Sequence, residues 1–300
     1  FGEIRAQAGY LITIEALRFL SLELLKTNKH KMKVFVNTPY WNSPLDNRIN
    51  EQSSLSKNAD YIKLITSGNF GDVYYNVAEE GDKRMEGFEK ATGYKHHTIK
   101  LAIDKKRIYP EFSKNFKADI SFVGTDLPGK RHFMKQQVFP LRDTYDLRLY
   151  GQDWTKKDKL LGYAQKLGQY LNIPLLKTIQ KPNLQIDDER KIYTSSTISI
   201  NFHEDYQREF GGDCNERTFK IPASKGFQIT DDVACIKKYF KEHKEIIIAK
   251  DKKDWFEKIE YYIKNPEKRN PIIEAGKKRV LKEHTYNHRV KKFIKIYESL

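Results

Sequence analysis

Asp119-Ile-Ser-Phe-Val-Gly-Thr-Asp-Leu-Pro-Gly-Lys-Arg131 decides the fold. Its first half is a short apolar strand pattern closed by Gly124, and Lys130 to Val138 has the composition of a helix. A strand that ends in glycine and feeds a helix is the βα unit of a parallel sheet. The pattern recurs downstream. Asp146 to Gly151 is a second strand ending in glycine, and Lys159 to Leu171 has helical spacing. Thr197 to Phe202, Gly226 to Thr230 and Glu245 to Ala249 are further short apolar strands. The chain then turns helical. Trp255, Ile259, Tyr262 and Ile263 make one face, Pro266 opens the next helix, and Val290, Phe293, Ile294 and Ile296 mark a last one from Tyr286 to Leu300.

Upstream, Lys33 to Asn37, Tyr61 to Thr66 and Thr98 to Ile103 read as strands. Leu11, Ile14, Leu17, Arg18 and Leu25 read as an amphipathic helix, Thr38 to Asn47 as a loop, and Val73 to Ala91 as either helix or loop. Ile108 to Phe116 reads as a linker. The fold expected is α/β, in two halves with a boundary near residue 115.

The 300 residues are 39% hydrophobic, and 18 tyrosines with 17 phenylalanines supply bulky core material. A formal charge of +15 favours anionic partners such as nucleotide phosphates, nucleic acid or an anionic membrane surface, although most of the scattered lysines read as solvated faces. The two cysteines, Cys214 and Cys235, lack metal-type spacing, and a reducing cytoplasmic compartment fits them. Tyr10 to Leu25 carries Glu15, Arg18 and Glu23 and is too short and too charged to span a bilayer.

Three stretches can carry chemistry. At Gly124 to Arg131, free backbone N–H groups beside a helix start form an anion site, with Lys130 or Arg131 adding charge; the alternative is an ordinary βα turn. At Asn215 to Ala223, Asn215 or Thr218 caps a short helix flanked by Arg217 and Lys220, as a diphosphate needs; the alternative is a capped surface helix. Ile200 to Asp205 leaves a strand and presents His203 as an acid, a base or a structural donor. No P-loop, nucleophile elbow, His-Glu-x-x-His, Asp-x-Asp or RNA-binding signature occurs, and His96-His97 point to opposite sides of a strand, a poor ligand set. Nothing in the sequence demands a divalent metal.

The run Glu216-Arg-Thr-Phe-Lys-Ile-Pro-Ala-Ser-Lys-Gly-Phe227 resembles the CgeB-like glycosyltransferases, a branch of the GT-B superfamily. So do, in order, Ser121 to Gly124, Leu149-Tyr-Gly-Gln-Asp-Trp154, Ile200 to His203, Asn265 to Arg269, Ala275 to Arg279 and Glu283 to Arg289. The resemblance is carried by residues 115 to 300 and is weaker over 30 to 115. It implies two Rossmann-like domains facing across a cleft, with an acceptor-side domain at 1–115, a nucleotide-sugar-binding domain at 116–284 and a helix at 285–300 crossing back.

By the same resemblance, Arg217 and the helix start at Thr218-Phe219 meet the diphosphate, and the loop of Gly124 and Thr125 approaches the same phosphates with Arg131. Gly151, Trp154, Asn201 and Glu216 complete the donor side, and Lys220 and His203 join Arg217 as catalytic candidates. The implied activity is metal-independent sugar transfer from a nucleotide-diphosphate sugar, without a cofactor, to an acceptor left open. A degenerate nucleotide-binding or structural protein is the alternative, and a nucleic-acid-binding protein the second. A peripheral contact with the inner face of the membrane fits a lipid-linked acceptor. Two departures stand out. Lys220 occupies a position where the family commonly has glutamate, and that glutamate's partner would fall on Gly212, with Glu216 a candidate substitute. Phe1 to Gly9 does not read as the opening strand of the first domain, which the resemblance places before Phe1 or replaced.

Overall fold

The computed structural model describes residues 10–13, 33–45, 54–125, 128–152, 154–178 and 184–300. They form two units. Unit 1 comprises Phe1–Leu101, Glu209–Asp213 and Asn287–Leu300; unit 2 comprises Ala102–Arg208 and Cys214–Tyr286. The chain therefore leaves unit 1 after Leu101, and the linker-like Ile108 to Phe116 belongs to unit 2.

Unit 1 is built on four parallel strands in the order β1 (Tyr10–Thr13), β2 (Lys33–Asn37), β3 (Val73–Asn76) and β4 (His96–Thr98). Helix α1 (Ala59–Thr66) lies between β2 and β3, and α2 (Phe88–Thr92) between β3 and β4. Alternation along β2 sorts its side chains to two faces. Val34 and Val36 join Leu55, Tyr61, Ile65, Phe70, Tyr74 and Phe88, whereas Phe35 joins Val73, Tyr75 and Ile99. Full burial of each such side chain contributes about 1.5–3 kcal/mol.

Four expectations are corrected here. Val73 to Ala91, expected as helix or loop, opens with the buried strand β3, paired on both sides by β2 and β4. Tyr61 to Thr66 is not a strand but most of α1: Asn58 caps it, accepting the Tyr61 N–H at 3.0 Å, and Tyr61 and Ile65 are buried one turn apart. The strand expected over Thr98 to Ile103 ends at Thr98, and beyond it only Ile103 makes a bridge, to Thr285. The helix expected from Leu11 to Leu25 begins instead as the strand β1, paired with β2; residues 14–32 and the opening Phe1 to Gly9 lie outside the described residues. Short apolar runs do not separate helix from strand until a sheet partner decides.

Unit 2 holds five parallel strands: β5 (Ala118–Val123), β6 (Leu147–Tyr150), β7 (Ser196–Asn201), β8 (Gln228–Asp231) and β9 (Ile247–Ala249). Their spatial order is β6-β5-β7-β8-β9. The helices are α3 (Pro128–Phe133, continued by a π turn over Met134–Val138), α4 (Lys156–Tyr170), α5 (Pro174–Lys177), α6 (Ile186–Ser195), α7 (Asp205–Phe210, whose last two residues belong to unit 1), α8 (Arg217–Ala223), α9 (Ile236–Tyr239), α10 (Lys252–Lys264) and α11 (Pro266–Glu283). One sheet face packs Ile120, Phe122, Ile198, Ile200, Phe202 and Ile229 against Met134, Trp255 and Ile259; the other brings Val123 to Ile192, Tyr193 and Ile221. Covering both faces is what an all-parallel sheet requires. The order reverses between β5 and β7, so ligands are expected outside the carboxyl ends of those two strands.

The last helix, α12 (Tyr286–Glu298), returns to unit 1. Phe293 meets the rings of Phe35 and Tyr75 edge-on, with centroids at 5.4 and 4.9 Å. Among the described residues no helix is long and apolar enough to cross a membrane.

Candidate functional site at the carboxyl ends of β5 to β8

The alternation Ile198-Ser-Ile-Asn-Phe-His203 puts Ile198, Ile200 and Phe202 into the core. Ser199, Asn201 and His203 fall on the opposite side and are buried too. Buried polar groups need partners, and each has one. Ser199 pairs with Ser121 at 3.1 Å, while Asn201 and His203 start a chain of hydrogen bonds that crosses the switch point.

In that chain Asp231, at the end of β8, receives His203 Nδ1 at 2.6 Å and the His203 backbone N–H at 2.8 Å. His203 Nε2 lies 3.2 Å from the Thr218 hydroxyl, which also accepts Asn201 Nδ2 at 3.2 Å. Asn201 Oδ1 accepts Arg217 Nε at 3.0 Å, and the Phe202 carbonyl accepts Arg217 Nη2 at 3.0 Å. The Nδ1–H tautomer of His203 satisfies every link, with Nε2 accepting from Thr218. Arg208 closes the far end on Asp231 at 3.1 Å and also pairs with Asp205. Burial opposes the charge of Asp231, yet His203 and Arg208 hold its carboxyl below the usual range.

The result is a fixed guanidinium. Two of the three Arg217 nitrogens are tied, its Cζ stands 5.4 Å from the Phe122 ring centroid, and Nη1 points past Gly124, 3.5 Å from where a Cβ there would sit. Burial lowers the Arg217 pKa from its ordinary value, and among the described residues no carboxylate forms an ion pair with it. Lys220 contrasts with it. Its Nζ lies 3.0 Å from Glu189 and 2.7 Å from Glu216, and despite burial the two carboxylates raise its pKa.

The glycine loops meet beside Arg217. Gly124 accepts Trp154 Nε1 at 2.7 Å through its carbonyl, and the Trp154 ring stands edge-on to Phe122. Gly151 has φ +121°, and a Cβ on it would collide with the Gly124 carbonyl oxygen, so only glycine fits. Thr125 follows Gly124 at the mouth of the loop.

The expected residues thus divide. Gly124, Gly151, Trp154, Asn201, Thr218 and Arg217 converge. His203 is enclosed behind Thr218 rather than facing outward. Phe219 is interior, stacked on His284 at 4.8 Å and packed on Tyr239 and Phe240. Arg131 is exposed on α3, and the Lys130 side chain lies outside the described residues. Helix α8 is not capped by Asn215 or Thr218: Glu216 holds the cap position but its side chain caps no backbone N–H, because Thr218 is committed to the network, Asn215 donates to the Phe202 carbonyl at 3.3 Å and Glu216 pairs with Lys220. Gly212 falls in unit 1, against Asp82 and Arg84.

Sequence reasoning missed Asp231 and Glu189. Asp231 ends a strand on the ligand-bearing edge of the sheet, which was signal enough. Glu189 carried no local signal and is brought in by α6. Among the described residues, no group of three His, Cys, Asp or Glu side chains is placed to hold a metal.

Comparison with known proteins fits this arrangement. The curated Spore protein CgeB of Bacillus subtilis is 25% identical over 194 residues, 62% of this chain and 56% of the relative, so the chain spans little more than half of that protein. Among solved structures, an alpha-glucosyltransferase in complex with UDP superposes with a TM-score of 0.62 at 13% identity, over 96% of this chain and 80% of that one. Sucrose-phosphate synthase from Thermosynechococcus elongatus gives 0.59 at 9% identity, over 97% and 73%. These likenesses show the fold, GT-B with two Rossmann-like units. A family model described as glycosyl transferase-like matches residues 131–295, more than half of the sequence, and the chain belongs to that family.

Proposed function

We propose that the protein transfers a sugar from a nucleotide-diphosphate sugar, with unit 2 binding the donor and unit 1 the acceptor. One observation carries the reading: Arg217 is immobilised at the switch point through Nε and Nη2, and among the described residues no carboxylate pairs with it. A buried cation without a counter-ion favours a bound anion, and the glycine-lined loop beside it admits a diphosphate to the backbone. As the acceptor hydroxyl oxygen bonds to the anomeric carbon, the bond from that carbon to the diphosphate oxygen breaks; its electron pair goes to the diphosphate, which can take the acceptor's proton, and a pre-oriented guanidinium stabilises the charge. His203, Thr218 and Asn201 act as positioning residues behind Arg217. The alpha-glucosyltransferase holds UDP, so uridine donors come first.

The test is nucleotide-diphosphate release from UDP-, GDP- and dTDP-sugars. Arg217→Ala should lower kcat/KM about 10²- to 10³-fold and abolish the rise in melting temperature given by the nucleotide diphosphate. Wild-type protein that neither turns over nor is stabilised by any donor would sink the proposal. A second reading, nucleotide binding without turnover, rests on Lys220, whose salt bridges occupy Glu189 and Glu216. It predicts stabilisation by the diphosphate with no release in either wild type or Lys220→Glu.

A further inference from the structure

Helix α4 and the short α5 after it present their apolar residues to the outside. Leu160, Tyr163, Leu167 and Tyr170 recur at spacings of three, four and three and form one stripe along α4. They are 69%, 69%, 51% and 87% exposed, and Leu171 and Leu175 continue the exposed apolar surface. The side of α4 turned inward carries Leu161, Ala164 and the buried Gly168 instead. A helix that merely covers a sheet has the opposite polarity.

The residues beside the stripe are cationic. Lys159 and Lys166 lie along one edge and Lys156 at the start, all exposed, with Asp158 the only acid on the helix. Asp158 sits in the first turn, where its backbone N–H donates to the Thr155 hydroxyl at 3.1 Å and its carboxylate lies near the positive end of the helix. An apolar strip bordered by lysines is the design of a helix lying in the interface of an anionic bilayer. A second copy of the chain fits poorly, since pairing the stripes brings Lys159 and Lys166 against their counterparts on a protein of net charge +15. Nucleic acid would use the lysines but would not bury four large apolar side chains.

We infer that α4 and α5 form a peripheral docking surface for anionic phospholipid bilayers, inserting Leu160, Tyr163, Leu167 and Tyr170 while the lysines meet lipid phosphates. The inference does not depend on the proposed sugar transfer. Flotation with vesicles of phosphatidylcholine, alone or mixed equally with phosphatidylglycerol, tests it. Wild-type protein should float with the mixed vesicles, and raised salt should weaken the binding. Leu160→Glu with Leu167→Glu should abolish flotation. Lys159→Glu with Lys166→Glu should weaken it about tenfold or more. All four positions are exposed, so unchanged far-UV circular dichroism and melting temperature would exclude misfolding. Flotation unaffected by the leucine pair, or absence of wild-type binding, overturns the proposal. So does a stripe-dependent dimer in sedimentation, or duplex DNA binding lost with the leucine pair.

Discussion

Among the described residues, Arg208 and Lys220 at the switch point are each neutralised by two carboxylates, and Arg217 by none. That difference separates side chains that hold the site from the one that awaits a ligand. Lys220 belongs to the first group. Glu189 accepts from it and from the Tyr193 hydroxyl at 2.7 Å, so α6 and α8 are joined through a charged cluster. Lys220→Glu would place a third carboxylate there. Breaking a fully buried pair costs about 3–5 kcal/mol, and partial solvent access lowers this to roughly 2–3 kcal/mol. The melting temperature should fall by roughly 5–10 °C, and Glu189→Lys in the same chain should recover most of the loss. Thermal melts of the two variants check this, and an unshifted Lys220→Glu would mean the cluster contributes nothing to stability.

At the scale of elements, the two glycine-ended strands put Gly124 and Gly151 side by side, which is where their role lies. Gly151→Ala meets both an unfavourable φ and the Gly124 carbonyl, so neither rotamer choice nor a small shift relieves it. We expect the loops after β5 and β6 to separate. Affinity for the nucleotide diphosphate should fall by at least about tenfold, while the core strands keep their amide protection; calorimetric titration with hydrogen exchange measures both. Unchanged affinity would detach the loop from the site. These loops were legible because glycine closing a strand is a local signal, and so was the alternation of β7. Helix α1 was misread because Tyr61, Ile62, Leu64 and Ile65 suit a strand as well as a helix, although Asn58 three residues before Tyr61 signals a cap. Glu189 had to wait for the structure, since its partner Lys220 lies 31 residues away. The inverted polarity of α4 was equally invisible, because periodicity gives a stripe but not the side that is covered.

At the scale of the molecule, chain order and unit membership disagree, and the disagreement has a mechanical consequence. Helix α12 follows all of unit 2 in sequence yet completes unit 1. Arg289 near its start donates to the carbonyls of Lys100 at 2.9 Å and Leu101 at 2.7 Å, the last residues of unit 1 before the chain departs. Farther along, Phe293 and Ile296 cover Phe35, Val73 and Tyr75 on a sheet face for which no other described helix supplies a core residue. Without them no described helix covers that face, and its own strands cannot shield it. Removing residues 287–300 should therefore act on one unit selectively. Hydrogen exchange should show lost protection in β2 and β3, with β5, β7 and β8 holding theirs, since their cover comes from α3, α6, α8 and α10. Phe293→Ala should produce a weaker form of the same pattern, near the low end of the roughly 3–5 kcal/mol of a Phe→Ala core truncation. Equal loss in both sheets would show instead that the units unfold as one, and that α12 does not belong to unit 1 alone.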